Sequence, residues 1–144
     1  MTAQSIRNAA LFHFARDGYE GASLRAIADD VGIKKPSIYA HFSGKEDLFL
    51  QALAHAFQEV KRHTLEYFRD HAELPLEDRL KGVFPWFEQE YNASPSTRLM
   101  LRMSYFPPPG LYNEVMDIAH PFLDGMERSL NRLLQRAVRH GELP

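Results

Sequence analysis

Two short apolar runs joined by one glycine, between Ser23 and Phe49, constrain this chain more than any other feature. Ser23 can cap a helix whose apolar positions, Leu24, Ile27, Ala28 and Val31, recur at the three-to-four spacing of a single buried face. Gly32 then supplies the left-handed conformation that ends a helix and turns the chain sharply. Ile33 is an apolar plug for the turn, and Pro36 suits the start of a second helix, where its missing N–H has no intrahelical partner to lose. Phe42-Ser43-Gly44 must break that second helix early. With Ile38 and Phe42 turned inward, Lys35, Ser37, Tyr39, Ala40 and His41 share the remaining surface. Two short helices meeting at a tight turn form a helix-turn-helix, and the outward residues are donors and small groups suited to phosphates and base edges.

The rest of the chain also reads as helical, and no stretch alternates with the two-residue period of a half-buried strand. Ile6, Ala9, Ala10 and Phe14 form the inner stripe of a first helix ended by Gly18. A long helix is expected from about Lys45 to Arg69, with Phe49, Leu53, Ala56, Phe57, Val60, Thr64 and Phe68 on one face. Its first turn belongs to the helix-turn-helix and its remainder to the body, so any tilt must move the N-terminal unit. The next helix opens near Pro75, with Leu76, Leu80, Val83, Phe84, Phe87 and Tyr91 inward. Ser94-Pro95 starts another by a cap followed by proline, and Pro107-Pro108-Pro109-Gly110 ends it. A last helical region carries Val115, Ile118, Ala119, Phe122, Met126, Leu130, Leu133, Leu134 and Ala137 and stops at Gly141. Pro85 and Pro121 fall inside helical patterns, so each should kink or split its helix, Pro121 by opening a new one after His120.

With 144 residues, 44% of them hydrophobic, the chain has enough apolar material for a packed core. It contains no cysteine, which excludes disulfides and thiolate metal sites and fits a reducing cytoplasm. Arg7, His13, Arg16 and Asp17 interrupt every early apolar stretch, so neither a signal peptide nor a membrane span is expected, and the assignment is cytoplasmic. The net charge of −2 argues against a general nucleic-acid coat. From Ser23 to Lys45, however, Arg25, Lys34, Lys35 and Lys45 outnumber Asp29 and Asp30, a local excess of +2 that leaves −4 on the remainder. Basic charge on one small unit and acidic charge on the body favour a focused contact over wrapping.

Enzymatic chemistry is hard to assemble. Of the seven histidines, none is expected to form an i, i+4 pair with an acidic partner of the kind a helical metal site uses, and His55 and His63 are two turns apart. No glycine-rich phosphate loop or Ser-His-Asp logic is present, and Glu88 and Glu90 read as a solvated face. No catalytic residue, metal or cofactor is assigned.

The residues Ala26-Ile27-Ala28, Val31-Gly32-Ile33, Ser37-Ile38-Tyr39, His41-Phe42 and Lys45-Glu46-Asp47-Leu48 resemble the DNA-binding domain of the TetR family of transcriptional repressors. Ala9-Ala10, Phe14 and Gly18-Tyr19 resemble the first helix and its exit turn in that family. Two positions depart from the pattern. Lys34 stands where the family often has a capping Ser or Thr, and His13 stands at a usually apolar site, where it is expected to be partly buried and hydrogen-bonded. The resemblance implies an all-α protein with a three-helix DNA-binding domain over residues 1–48 and a helical effector-binding body over 49–144. It also implies a sequence-specific regulator, a repressor released from its operator by a small hydrophobic or aromatic effector.

Carried onto this sequence, Arg25 and Lys35 are the expected guanine readers and Pro36 and Ala40 the contacts to a thymine methyl. Ser23, Tyr39, His41 and Lys45 are assigned to phosphates, joined by Lys34, while Ser37 lies on the groove-facing helix. For the effector the candidates are Phe84, Trp86, Phe87, Tyr91, Met100, Met103, Tyr105, Phe106, Tyr112, Met116, Phe122 and Met126, adaptable and apolar side chains that also sit at core spacing. Family members act as homodimers on palindromic operators through two C-terminal helices. This sequence stops at Pro144, about where those helices would begin, so the expectation is a body short of its last helices. The alternative is a small helical binding module whose helix-turn-helix serves structure or protein contact.

Overall fold

The computed structural model describes residues 2–144. Among the described residues there are seven helices and no strand: α1 (Ala3–Gly21), α2 (Leu24–Val31), α3 (Lys35–Ile38), α4 (Lys45–Asp70), α5 (Leu76–Ala93), α6 (Pro95–Tyr105) and α7 (Tyr112–Arg139). No helix among them is long and apolar enough to cross a membrane.

Helix α1 is broken rather than ended at Gly18, whose φ of 77° only glycine adopts readily, and one further turn runs to Gly21. Gly18 is also needed for space. A Cβ there would lie 2.7 Å from the Arg102 guanidinium, so the glycine lets α1 and α6 approach. Ser94 caps α6 by accepting the Thr97 N–H, Pro95 opens it, and the proline run follows its end. Gly141, at φ 76°, follows the C-terminus of α7.

The core is continuous from α1 to α7. Phe14 and Phe49 meet edge to face at 5.1 Å, Tyr19 lies parallel to Phe14 and edge-on to Phe49, and Leu53, Ala56, Leu99, Met103, Val115 and Ala119 extend the same buried cluster. Helix α4 lies at its centre, packed mainly on α1, α6 and α7.

Several expectations are corrected in the body. Tyr67 rather than Phe68 is buried at the end of α4, because its hydroxyl donates to the Arg79 carbonyl at 2.8 Å and Gly82 leaves room for it on α5. On α5 only Leu76 is fully buried, while Phe84 and Tyr91 are exposed. Both interior prolines are accommodated within continuous helices, and α7 passes through Pro121 without a new start. Lys81, Pro85, Asp117 and Pro121 are all exposed, so water can reach the carbonyls that each proline leaves without an N–H partner.

Candidate nucleic-acid interface

Local forces build the exposed edge. The Ser23 side chain accepts the Ala26 N–H at 3.1 Å, capping α2. At the other end Gly32 is left-handed (φ 76°, ψ 29°), and the Ile33 N–H returns to the Ala28 carbonyl at 3.0 Å, closing the helix in a Schellman-type turn. Ile33 packs half-buried against the core. Helix α3 has Lys34 at its N-cap, with no side-chain capping bond, and Pro36 in its first turn. After Ile38 it tightens into i→i+3 bonds, from Tyr39 N–H to Pro36 and from His41 N–H to Ile38, before the chain leaves toward α4.

Ile38 and Phe42 anchor this segment in the core, at 0% and 3% exposure. Because they point inward, Lys34, Lys35, Pro36, Ser37, Tyr39, Ala40 and His41 all point to solvent, as does Arg25 on α2. None of Arg25, Lys34, Lys35 and Lys45 belongs to an ion pair among the described residues, so all four charges are available to an external anion. Lys45 lies half-buried at the start of α4, its ammonium 4.7 Å from the centre of the Tyr19 ring, a cation–π contact that steadies it. Ser23 is already engaged as a cap acceptor and keeps its hydroxyl proton for donation.

Acidic groups near this edge are turned to structural use. Asp30 lies 2.9 Å from Nε2 of His13, which is itself 94% buried, and the pair ties α1 to α2. His13 is thus hydrogen-bonded, and its partner had no signal in the sequence because the two residues lie 17 positions apart. Asp47 accepts from the Gln51 amide and from the Ser43 N–H; those bonds, the amide's first, hold its carboxyl below the ordinary carboxylate range. The Tyr19–Lys45 contact was likewise invisible in the linear pattern.

Behind this edge a second polar cluster joins α4 to α5 and α6. His55 does form an i, i+4 pair, with Glu59 at 3.0 Å, correcting the expectation that no histidine would, and His63 reaches Glu90 on α5 at 2.9 Å, so Glu90 is not a solvated face. The Ser96 hydroxyl donates to Glu59. Burial opposes ionisation of Glu59, but the Ser96 bond and the nearby His55 and His63 outweigh it, and its carboxyl is held below the usual range. Among the described residues no group of three or more His, Asp or Glu is arranged to hold a metal.

The twelve apolar effector candidates are not gathered into one cavity. Met100 and Met103 are buried in the core, with Phe87, Met116 and Phe122 packed half-buried against it. Phe84, Tyr91, Tyr105, Phe106 and Tyr112 are exposed, and Trp86 stacks on Tyr67. Phe122 and Met126 line a shallow cleft of about 40 Å³ between α4 and α7, beside Lys61 and Leu65.

With this geometry in place, residues 6–52 match the family described as bacterial regulatory proteins, tetR family. The chain is 46% identical over 50 residues to the HTH-type transcriptional repressor AcnR of Corynebacterium diphtheriae, a segment covering 35% of this chain and 26% of that protein. Over 44 residues it is 36% identical to the icaADBC biofilm operon negative transcriptional regulator IcaR of Staphylococcus epidermidis, covering 31% of this chain and 24% of the relative. The matched segment thus spans about a quarter of these relatives' length. In three dimensions the chain resembles a TetR-family regulator from Agrobacterium tumefaciens (TM-score 0.73, 23% identity, 96% of this chain and 72% of the other). It also resembles FadR of Bacillus subtilis in complex with stearoyl-CoA (TM-score 0.68, 19% identity, 99% and 74% covered). Capped α2, the left-handed Gly32 turn and the anchored α3 all lie within residues 6–52, the segment that matches the tetR family of bacterial regulatory proteins and is similar to the N-terminal part of these repressors.

Proposed function

We propose that the chain is a sequence-specific transcriptional regulator that acts as a repressor, with residues 1–48 as its reading head and residues 49–144 as an effector-responsive body. The observation that carries this reading is the outward row on α3, an unpaired basic and hydroxyl-bearing surface held in register by buried Ile38 and Phe42. In the proposed complex α3 enters the major groove. Lys35 and Arg25 donate to guanine O6 and N7, Pro36 and Ala40 touch a thymine methyl, and Ser37 lies against the bases. Lys34, Tyr39, His41, Ser23 and Lys45 hold phosphates and set the register. Gly44 places no side-chain cap on α4, which leaves N–H groups beside Lys45 for the same phosphate.

Control runs through α4. Its first turn carries Lys45 and its later turns carry Ala56, Phe57 and Val60 in the core of the body, so a ligand that separates α4 from α7 tilts the head. The complex of the FadR neighbour with stearoyl-CoA supports ligand control of this fold. For this chain the effector is read as apolar, entering beside Phe122, Met126 and Met116, where half-buried side chains can repack. The operator is read as palindromic and the protein as a homodimer.

The test is a selection from a randomised duplex pool, followed by anisotropy titrations of Lys35→Ala and Lys45→Ala across salt. Lys35→Ala should cost about 1–3 kcal/mol at one base pair and relax specificity there, whereas Lys45→Ala should weaken all sequences and reduce the salt slope by about one phosphate. Equal losses on cognate and random DNA would remove Lys35 from the base readers. If no sequence is enriched at physiological salt, the regulator reading fails and the protein-contact reading of the helix-turn-helix takes its place.

A further inference from the structure

The surface between α4 and α7 is apolar at one end and basic at the other. Phe57 and Phe122 meet edge to face at 5.1 Å, and just beyond them Lys61 and Leu65 of α4 line the narrow cleft with Phe122, Gly125, Met126 and Ser129 of α7. Lys61 and Leu65 also line an open groove of about 660 Å³ along the outer side of α4, which Arg62 and Arg69 border. The two hollows therefore join at Lys61 and Leu65. On α7, Arg132 and Arg136 follow Gly125 by seven and eleven residues and Ser129 by three and seven, so they continue the cleft-lining stripe toward the C-terminus.

Charge indicates what the cleft takes. Lys61, Arg132 and Arg136 belong to no ion pair among the described residues, and Arg69 meets only Asp70, at 3.5 Å. Glu66 is the one acid lining either hollow, and Arg62 matches it at 3.0 Å. Asp124 and Glu127 lie off the Gly125–Ser129 stripe. A wholly neutral ligand would cover the Lys61 ammonium without giving it a partner, and a bare inorganic anion would leave Leu65, Phe122 and Met126 unused. A ligand with an apolar chain and an anionic end suits both parts. An extended anionic bilayer would meet Glu66, Asp70 and Glu127 among the cations, whereas a single chain meets the cleft alone.

We propose that the α4–α7 cleft takes a single-chain anionic amphiphile, its hydrocarbon between Leu65, Phe122 and Met126 and its phosphate or carboxylate on Lys61, Arg69, Arg132 and Arg136. The cleft is about 40 Å³, so the chain enters as half-buried Phe122 and Met126 repack and α7 shifts from α4. The inference rests on the effector reading above and narrows it from an apolar ligand to one with an anionic end.

The test is calorimetric titration of the 144-residue chain with dodecyl phosphate, below the concentration at which it forms micelles, beside dodecanol and inorganic phosphate. Dodecyl phosphate should bind one to one, and dodecanol and inorganic phosphate each at least about tenfold more weakly. The double variant Lys61→Gln, Arg132→Gln, at two exposed positions, should weaken dodecyl phosphate at least about tenfold and leave dodecanol binding and circular dichroism unchanged. Leu65→Gln should weaken both dodecyl ligands. Equal affinity for dodecyl phosphate and dodecanol overturns the proposal and leaves the apolar effector reading standing, and so does a double variant that binds dodecyl phosphate as the parent does. Binding of neither dodecyl ligand overturns both, while the DNA-binding reading is decided separately by the duplex selection. Co-sedimentation with phosphatidylglycerol vesicles without one-to-one binding of dodecyl phosphate overturns it in favour of a membrane surface.

Discussion

Helices α2 and α5 are stabilised in opposite ways. With eight residues α2 is too short to persist alone, yet it buries Leu24, Ile27 and Ala28, takes a side-chain cap from Ser23 and ends in a left-handed Gly32. With eighteen residues α5 fully buries only Leu76, has no side-chain N-cap and carries Phe84 at 77% exposure beside an interior proline. Length is therefore a poor guide to which helix is held firmly. The head is held firmly because its short elements are pinned by buried side chains, α2 with a cap at each end and α3 through Ile38 and its neighbour Phe42. On α5 the hold comes from Leu76, from the Tyr67 hydroxyl on the Arg79 carbonyl, and from the His63–Glu90 pair. Segments with so few buried contacts belong to the low-stability end of a fold, where ligand-driven movement is drawn from.

That contrast makes its largest demand on two phenylalanines. Phe14→Ala, at a fully buried site, should cost about 3–5 kcal/mol in chemical denaturation, whereas Phe84→Ala should stay within about 0.5 kcal/mol. Similar costs for the two would erase the distinction between a pinned head and a loosely held α5. Next comes Gly18→Ala, expected to cost more than about 1 kcal/mol, because a side chain there must both adopt positive φ and displace Arg102. Gly32→Ala should cost less, because its φ 76°, ψ 29° is the left-handed helical region that other residues can enter and nothing lies near the added Cβ, whereas Gly18, at φ 77°, ψ 177°, combines a conformation nearly confined to glycine with the Arg102 contact. Ser23→Ala should follow at about 1 kcal/mol, read as earlier hydrogen exchange in α2 with α5 unaffected.

The smallest effect concerns acid. Glu59 has a carboxyl pKa lowered in the folded state, so its contribution is present above the unfolded value and lost as pH falls through the folded one. Glu59→Gln should leave stability near neutrality little changed in its pH dependence and flatten the fall below pH 4.5, the ordinary value for this group. An acid limb that stays as steep in the variant would show that the α4–α6 cluster does not set it.

Much of the head was legible because its determinants are local. Ser23, Gly32, Pro36 and the spacing of Leu24, Ile27 and Ala28 act within a few residues of themselves, and each appears where the linear pattern placed it. Lys34 also behaves as read, standing at the N-cap of α3 without a capping bond. The body was legible as helices but not as faces. Spacing placed Phe84 and Tyr91 inward with Leu76, yet a helix has two sides that a mixed aromatic pattern does not rank, and the neighbours of α5 cover neither residue. Pro121 misled for a related reason: it opens no new helix, and water can reach the carbonyl it leaves without a partner.

By itself the sequence determined the all-helical class, the position of the sharp turn and the identity of the exposed row on α3, because caps, glycine conformations and residue periodicity are properties of neighbouring residues. Only the tertiary structure decided that His13 meets Asp30, that Tyr19 steadies Lys45, that Gly18 admits Arg102 and that His63 reaches Glu90. These contacts join residues 17 to 84 positions apart, and which partners meet is set by how α1, α4, α5 and α6 pack around their shared core.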